Sequence, residues 1–179
     1  LCERMGVEFM AYHIDAAGLA KQLGISVEEA GRKERYRIFN EACKECNARI
    51  AVAHHMNDQA ETVIMNMARG TSLKGIRGIV PVRDNICRPL LCITRQDIES
   101  WLVLRNQSFV TDVTNYDNDY TRNSIRNVLL PYMGEHINKN VVQNIAFMAQ
   151  EVRAVENFVD KEADKLYKSC AIQVGAGIR

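Results

Sequence analysis

An α/β domain with a parallel sheet, followed by a helical segment, is the fold class that this sequence predicts, and three observations predict it. Ser26 to Cys46 has helical spacing, Arg49 to Ala53 is a short apolar run, and a second helical pattern opens at Asn57 or Asp58. Helix, strand, loop and helix in that order make the alternation from which parallel sheets are built, with ligands at loops beyond the carboxyl ends of the strands. A third pattern, from about Asn140 to Lys168, supplies the long helix. The 179 residues, 47% hydrophobic and 25% charged, suit a soluble globular chain of one domain or two and not a disordered one.

Taken in order, Glu8 to Ile14 alternates well enough for a strand. In the first helix Val27, Ala30, Ile38, Phe39, Ala42 and Cys43 fall on or near one face, and Ser26 with Glu29 makes a capping box. Arg49 to Ala53 suits a buried strand, and Asn57 or Asp58 caps a helix through Arg69 that ends at Gly70. Gly70 to Pro89, with three glycines and two prolines, reads as a long functional loop holding at most one short strand. Thr94 with Asp97 caps a helix to about Arg105 whose Ile98, Trp101 and Leu102 face inward, and Phe109-Val110 suggests a short strand. After an irregular stretch to Tyr120, a helix from Arg122 carries Ile125, Val128 and Leu129 into Pro131, where it should stop or kink. The long helix offers Ile145, Met148, Val152, Val155, Val159 and Leu166 as its apolar positions, and Gly175-Ala176-Gly177 reads as a linker or tail. The expected organisation is residues 1–133 as a nucleotide-binding part, 134–169 as a helical segment and 170–179 as a tail.

Composition narrows the function. No apolar run approaches the roughly eighteen residues that cross a bilayer, which argues against a membrane partner, and no secretory leader opens the chain. A cytoplasmic location is therefore expected, with a segment missing ahead of Leu1. The six cysteines are irregularly scattered, so reduced thiols are expected, with Cys43 and Cys46 structural. Net charge is +1, but Arg69, Lys74, Arg77, Arg83, Arg88 and Arg95 face only Asp84 in one stretch, and an acidic stretch from Gln96 to Tyr120 follows.

Three phrases carry titratable groups. His54-His55-Met56-Asn57-Asp58-Gln59-Ala60-Glu61-Thr62 lies between a strand and a helix start, where free N–H groups and the helix dipole favour a phosphate. Asp58 could then hold Mg²⁺ beside it and His54 could donate a hydrogen bond to developing charge. An N-cap Asp with strand-end histidines is the commoner origin of such a phrase, and a transition-metal site is a third. Arg69-Gly70-Thr71-Ser72-Leu73-Lys74-Gly75 places small residues and cations after that helix, with Gly70 as a C-cap or a point of close approach. Arg122 and Arg126 stand four apart near a helix start, where cations oppose the dipole and need anions. Phosphate of ATP or RNA would supply them, and so would Asp117 or Asp119 just upstream.

Together and in this order, these phrases resemble the tRNA(Ile)-lysidine synthases of the PP-loop ATPase group. Ser26-Val27-Glu28-Glu29-Ala30-Gly31-Arg32 through Arg35-Tyr36, Arg88-Pro89-Leu90-Leu91, and Asn115 with Arg122-Asn123-Ser124-Ile125-Arg126 complete the resemblance, which covers the chain to about Lys168. It implies a Rossmann-like domain that uses ATP and Mg²⁺ to adenylate the wobble cytidine of tRNA(Ile), free L-lysine then displacing AMP; a homodimer is compatible with it. Asp58, His54 and Arg126 would be catalytic, with Asp58 also at the Mg²⁺-ATP site. Arg32, Arg35, Asn57, Arg69, Gly70 and Arg122 would contact ATP or its phosphates, and Lys74, Arg77 and Arg88 the tRNA backbone. Asp58→Asn and Arg126→Ala are expected to abolish adenylation in the intact enzyme with unfolding almost unchanged. Two departures stand out. Gly31 replaces the family's usual helix former, at a cost of about 1 kcal/mol, and the family's Ser-Gly-Gly-x-Asp-Ser loop has no counterpart here, so this chain alone is not expected to catalyse the reaction.

Overall fold

The computed structural model describes residues 1–46, 48–110, 121–171, 173–174 and 177–178, with side chains at 1–44, 48–110 and 121–171. Asp112, Asn115, Asp117 and Asp119 lie outside the described residues, as do Gly175 and Ala176. The chain divides into two compact units, one of residues Leu1–Ile50 and Asp84–Ile86, the other of Ala51–Arg83 and Cys87–Arg179. The architecture is α/β and mostly helical.

In the first unit, α1 (Cys2–Met5) ends at Gly6, in the left-handed region at φ 64°. The strand expected at Glu8–Ile14 does not form, and Phe9, Met10 and Tyr12 are exposed. Alternation alone cannot make a strand without a neighbour to pair its backbone groups. The chain instead enters α2 (Ala16–Leu23), where the Asp15 side chain accepts the Gly18 N–H at 2.9 Å. Ser26 Oγ accepts the Glu29 N–H at 3.1 Å at the start of α3 (Val27–Cys46), as its cap sequence requires. α2 and α3 pack together, and small buried residues, Ala20 and Ala30 among them, allow close approach. Gly31 faces Ala16 and does not interrupt α3.

β1 (Ile50–Ala51), β2 (Val82–Arg83) and β3 (Ile86–Cys87) form a small sheet in the order β1-β3-β2. The strand expected to be buried at Arg49–Ala53 is shorter and half-buried, because β1 is an edge with one neighbour. In the second unit, α4 (Met56–Ala68) and α9 (Val141–Cys170) pack against each other, flanked by α5 (Leu73–Ile76) and α8 (Leu130–His136). Ala60, Ile125, Leu130 and Val141 form the core there, with Ile64, Met65 and Met133 against it.

Gly70–Pro89 is more structured than a loop, since α5, β2 and β3 all fall within it. Its glycines hide the periodicity. Gly78, at φ 60°, would bring a Cβ within 2.7 Å of Gln59 Oε1, so the turn needs glycine. Gln59 is buried and holds that turn by accepting from Ile79 N–H (2.6 Å) and donating to the Arg77 carbonyl (3.0 Å).

Thr94 and Asp97 cap α6 (Arg95–Leu104) reciprocally, each backbone N–H reaching the other's side chain at 3.1 Å. Trp101, expected inside, is exposed, with the Arg105 guanidinium 5.1 Å from its ring centre. Phe109-Val110 forms no strand and Val110 is 96% exposed, with no strand to pair it among the described residues. Pro131 does not stop its helix. α7 (Thr121–Ser124) runs through a π-helical turn (Ile125–Leu129) into α8, the Leu130 N–H donating to the Ile125 carbonyl. The wider turn accommodates a ring that would clash with an ordinary i−4 carbonyl and cannot donate to it.

α9 begins after Asn140 as its sequence suggests, but its buried positions are Val141, Ala149 and Glu156. Val155, Val159 and Leu166, expected on the apolar face, are exposed: Val159 and Leu166 lie beyond Glu156, the last buried position, and Val155 stands about 100° around the helix from it. At the end of the chain β4 (Gln173–Val174) and β5 (Gly177–Ile178) pair antiparallel where a tail was expected. Among the described residues no helix is long and apolar enough to cross a membrane.

Candidate functional site

The site is built on the first turn of α4. His55, in extended backbone, is its N-cap, a place the sequence assigned to Asn57 or Asp58. Asp58 is instead the third helical residue, and its Oδ2 accepts the His55 N–H at 2.9 Å, which satisfies one of the donors exposed at a helix start. Asn57 turns outward, and its Oδ1 accepts the Arg95 N–H at 2.9 Å to tie α4 to α6.

Asp58 and Glu61, three apart, share a helix face, and both are buried, Glu61 completely at 0% exposure. Opposite them stand Arg122 and Arg126, four apart on the α7–π segment. Arg122 donates through Nε to Glu61 Oε2 (2.8 Å) and through Nη2 to Asp58 Oδ1 (3.0 Å). Arg126 donates to Glu61 through Nε (Oε1, 2.6 Å) and Nη2 (Oε2, 2.9 Å), with Asp58 Oδ1 at 3.4 Å. Two carboxylates and two guanidiniums therefore balance. The Glu61 hydrogen bond raises the Arg126 pKa against the opposing effect of burial. Among the described residues the carboxylates that meet these arginines come from α4, while Asp117 and Asp119, which the sequence offered beside phosphate, lie outside them.

Beside this cluster, His54 Nδ1 accepts from Arg88 Nε at 3.2 Å, and Arg88 Nη1 donates to the Val80 carbonyl at 2.8 Å. Accepting at Nδ1 puts the proton of the neutral ring on Nε2. Arg88, expected on the tRNA backbone, is buried and fixes His54. Burial lowers the pKa of neighbouring His55, with Asp58 and Glu61 opposing. His55 Nδ1 is buried without a hydrogen-bond partner among the described residues. A histidine whose folded pKa lies below its unfolded value of 6.5 contributes stability above that pH and loses it as pH falls toward the folded value. Unfolding titrations from pH 8 to 5 should show stability declining below about 6.5, and His55→Asn, which keeps a cap, should flatten that decline. An unchanged slope in the variant would remove His55 from the account.

Of the other predicted site residues, Arg69 and Gly70 lie beyond the far end of α4, about 16 Å along the axis from Asp58. Lys74 is exposed on α5, and Arg77 pairs with Glu156 at 2.8 Å. Arg32 and Arg35 are exposed on α3 in the other unit, Arg32 over the Tyr36 ring at 5.4 Å. Both Asp58 oxygens already face N–H donors and no group of three His, Cys, Asp or Glu side chains placed to hold a metal ion occurs among the described residues, so a Mg²⁺ at Asp58 would need the ATP phosphates among its ligands. The residue that sequence reasoning left without a role is Glu61. Its three-residue offset from Asp58, against the four-residue offset of the arginines, was the signal available. Gln59 and Glu156 gave none, because their partners are distant in the chain.

The profile of the PP-loop domain family matches residues 1–133. The tRNA(Ile)-lysidine synthase of Clostridioides difficile is 42% identical over 170 residues, 94% of this chain and 37% of that protein. The tRNA(Ile)-lysidine synthase of Caldanaerobacter subterraneus is 39% identical over 168 residues (93% and 36%), and that of Bacteroides thetaiotaomicron 40% over 166 (92% and 39%). The chain thus spans somewhat more than a third of the length of these curated relatives. With its α/β architecture and a family match covering most of its length, the chain belongs to the PP-loop domain family.

Proposed function

We propose that this chain is part of an enzyme that joins lysine to C2 of the wobble cytidine of tRNA(Ile) at the expense of ATP. The observation that carries the reading is the 42% identity to a tRNA(Ile)-lysidine synthase over 170 residues, a span too long to miss the cluster on α4. In the first step the cytidine C2 oxygen bonds to the α-phosphorus of ATP and pyrophosphate leaves. In the second the lysine amine bonds to C2, the C2–O bond breaks, AMP leaves and the amine gives up a proton. tRNA(Ile), ATP and free L-lysine are then substrates, and the cytoplasm is the expected compartment.

Such transfers are helped chiefly by positioning and by donors aimed where charge develops. Glu61 grips the Arg126 fork through two hydrogen bonds, so the guanidinium need not reorganise as an adenylate forms beside it. Arg88 fixes the tautomer of His54, whose Nε2–H is the donor this ring can offer to a developing oxyanion. Mg²⁺ would enter on the ATP phosphates, as their counter-ion.

The test is pyrophosphate release by the full-length protein with ATP. Release should require a tRNA(Ile) bearing cytidine at the wobble position and should cease when uridine replaces it. Equal release without tRNA would overturn the reading.

A further inference from the structure

A cavity of about 430 Å³ opens beside the site, between the start of α4, the 3₁₀ turn Pro89–Cys92 and α9. Its size lies within the roughly 300–1,000 Å³ of small-molecule sites. Gln143, Phe147 and Gln150 line it from α9 at spacings of four and three, hence from one helix face, and Arg153 continues that face. Leu91 adds apolar surface opposite.

The cavity is cationic. Arg88 and Arg153 line it, and among the described residues no Asp or Glu does. Arg153 Nη2 donates to the carbonyls of Ile79 (3.1 Å) and Arg77 (3.4 Å), while its Nε is buried without a partner among the described residues. Glu156, three residues on, pairs with Arg77 instead, so among the described residues no carboxylate compensates Arg153. Burial and the Arg77 charge together lower the Arg153 pKa, a penalty that an anion would relieve.

We propose that this cavity binds one nucleotide unit, its base against Phe147 and Leu91 and its phosphate at Arg153. An exposed aromatic ring, two amides that both donate and accept, and an uncompensated guanidinium are the features that take up an unstacked base with its phosphate. The nucleotide could come from RNA or be free. The RNA source rests on the function proposed above, whereas the free source does not.

The test is titration of the protein with 5′-CMP, 5′-AMP and the labelled anticodon stem-loop of tRNA(Ile), repeated with Phe147→Ala and Arg153→Gln. Whichever probe uses the cavity should bind about tenfold more weakly to both variants, the scale of one lost stacking contact. Phe147 is 63% exposed, so its variant should melt as the wild type does and report binding alone. Weakening confined to the stem-loop identifies RNA as the source, and weakening confined to the mononucleotides identifies free nucleotide. If the wild type binds the stem-loop and both variants match it with every probe, the cavity proposal falls and the tRNA reading survives. Mononucleotide binding through these residues with no stem-loop binding would leave the cavity and remove the tRNA reading. No binding of any probe by the wild type would overturn the cavity proposal.

Discussion

Glu61→Ala should lower the melting temperature by about 10 °C. Glu61 is wholly buried and accepts three hydrogen bonds from Arg122 and Arg126, whose side chains keep 32% and 21% of their exposure. Removing one partner of a buried pair typically costs about 3–5 kcal/mol, because the remaining charge stays desolvated. The partial exposure of both arginines puts the expected loss at the lower end, about 3 kcal/mol, and in a chain of this size each kcal/mol shifts the midpoint by about 2–4 °C. Glu61→Gln keeps the shape and an acceptor but not the charge, so a smaller loss is expected. Glu99→Ala is the contrast: its pair with Arg95 is exposed at 39% and 40%, and about 0.5 kcal/mol is expected. Thermal unfolding followed by circular dichroism decides between them. If Glu61→Ala and Glu99→Ala melt alike, the buried cluster is not what holds α4 to the α7–π segment.

Arg126→Ala should reduce pyrophosphate release by about 100-fold or more, the scale of losing one preorganised donor to developing charge. The sequence alone suggested that this change would spare stability. The structure says otherwise, because among the described residues alanine at 126 leaves Arg122 as the one guanidinium facing Glu61 and Asp58. The rate must therefore be measured well below the variant's own melting temperature and expressed per folded molecule. Arg126→Lys separates the two effects. It restores a positive charge but not the two-point grip on Glu61, so it should recover much of the stability and little of the rate. Recovery of both would make Arg126 a structural cation only. Asp58→Asn should likewise lose both stability and rate, since Asp58 joins the α4 cap to both arginines.

Elements whose signals are local were legible in the sequence. Ser26 with Glu29 and Thr94 with Asp97 mark helix starts through contacts three residues apart, and α3, α6 and α9 begin where those signals or Asn140 put them. Elements that depend on distant partners were not. Glu8–Ile14 alternates but has no strand to pair with among the described residues, and the outer half of α9 carries apolar side chains that its described neighbours do not reach. The candidate site divides in the same way. Asp58, Arg122 and Arg126 were identified from their placement at helix starts and from resemblance, and the structure brings them together. Their mutual neutralisation was hidden by more than sixty residues of separation. Arg88 stood in a basic run and, by resemblance, was expected on the tRNA backbone, whereas it is buried and bonded to His54 and the Val80 carbonyl.

The most direct test of the central claim is the product itself. Full-length protein should be incubated with ATP, isotopically labelled lysine and tRNA(Ile), and the tRNA digested to nucleosides for mass spectrometry. The account predicts that one cytidine, at the wobble position, gains the mass of lysine less water, only when ATP is present. Labelled lysine absent from that cytidine, with pyrophosphate nonetheless released, would contradict it.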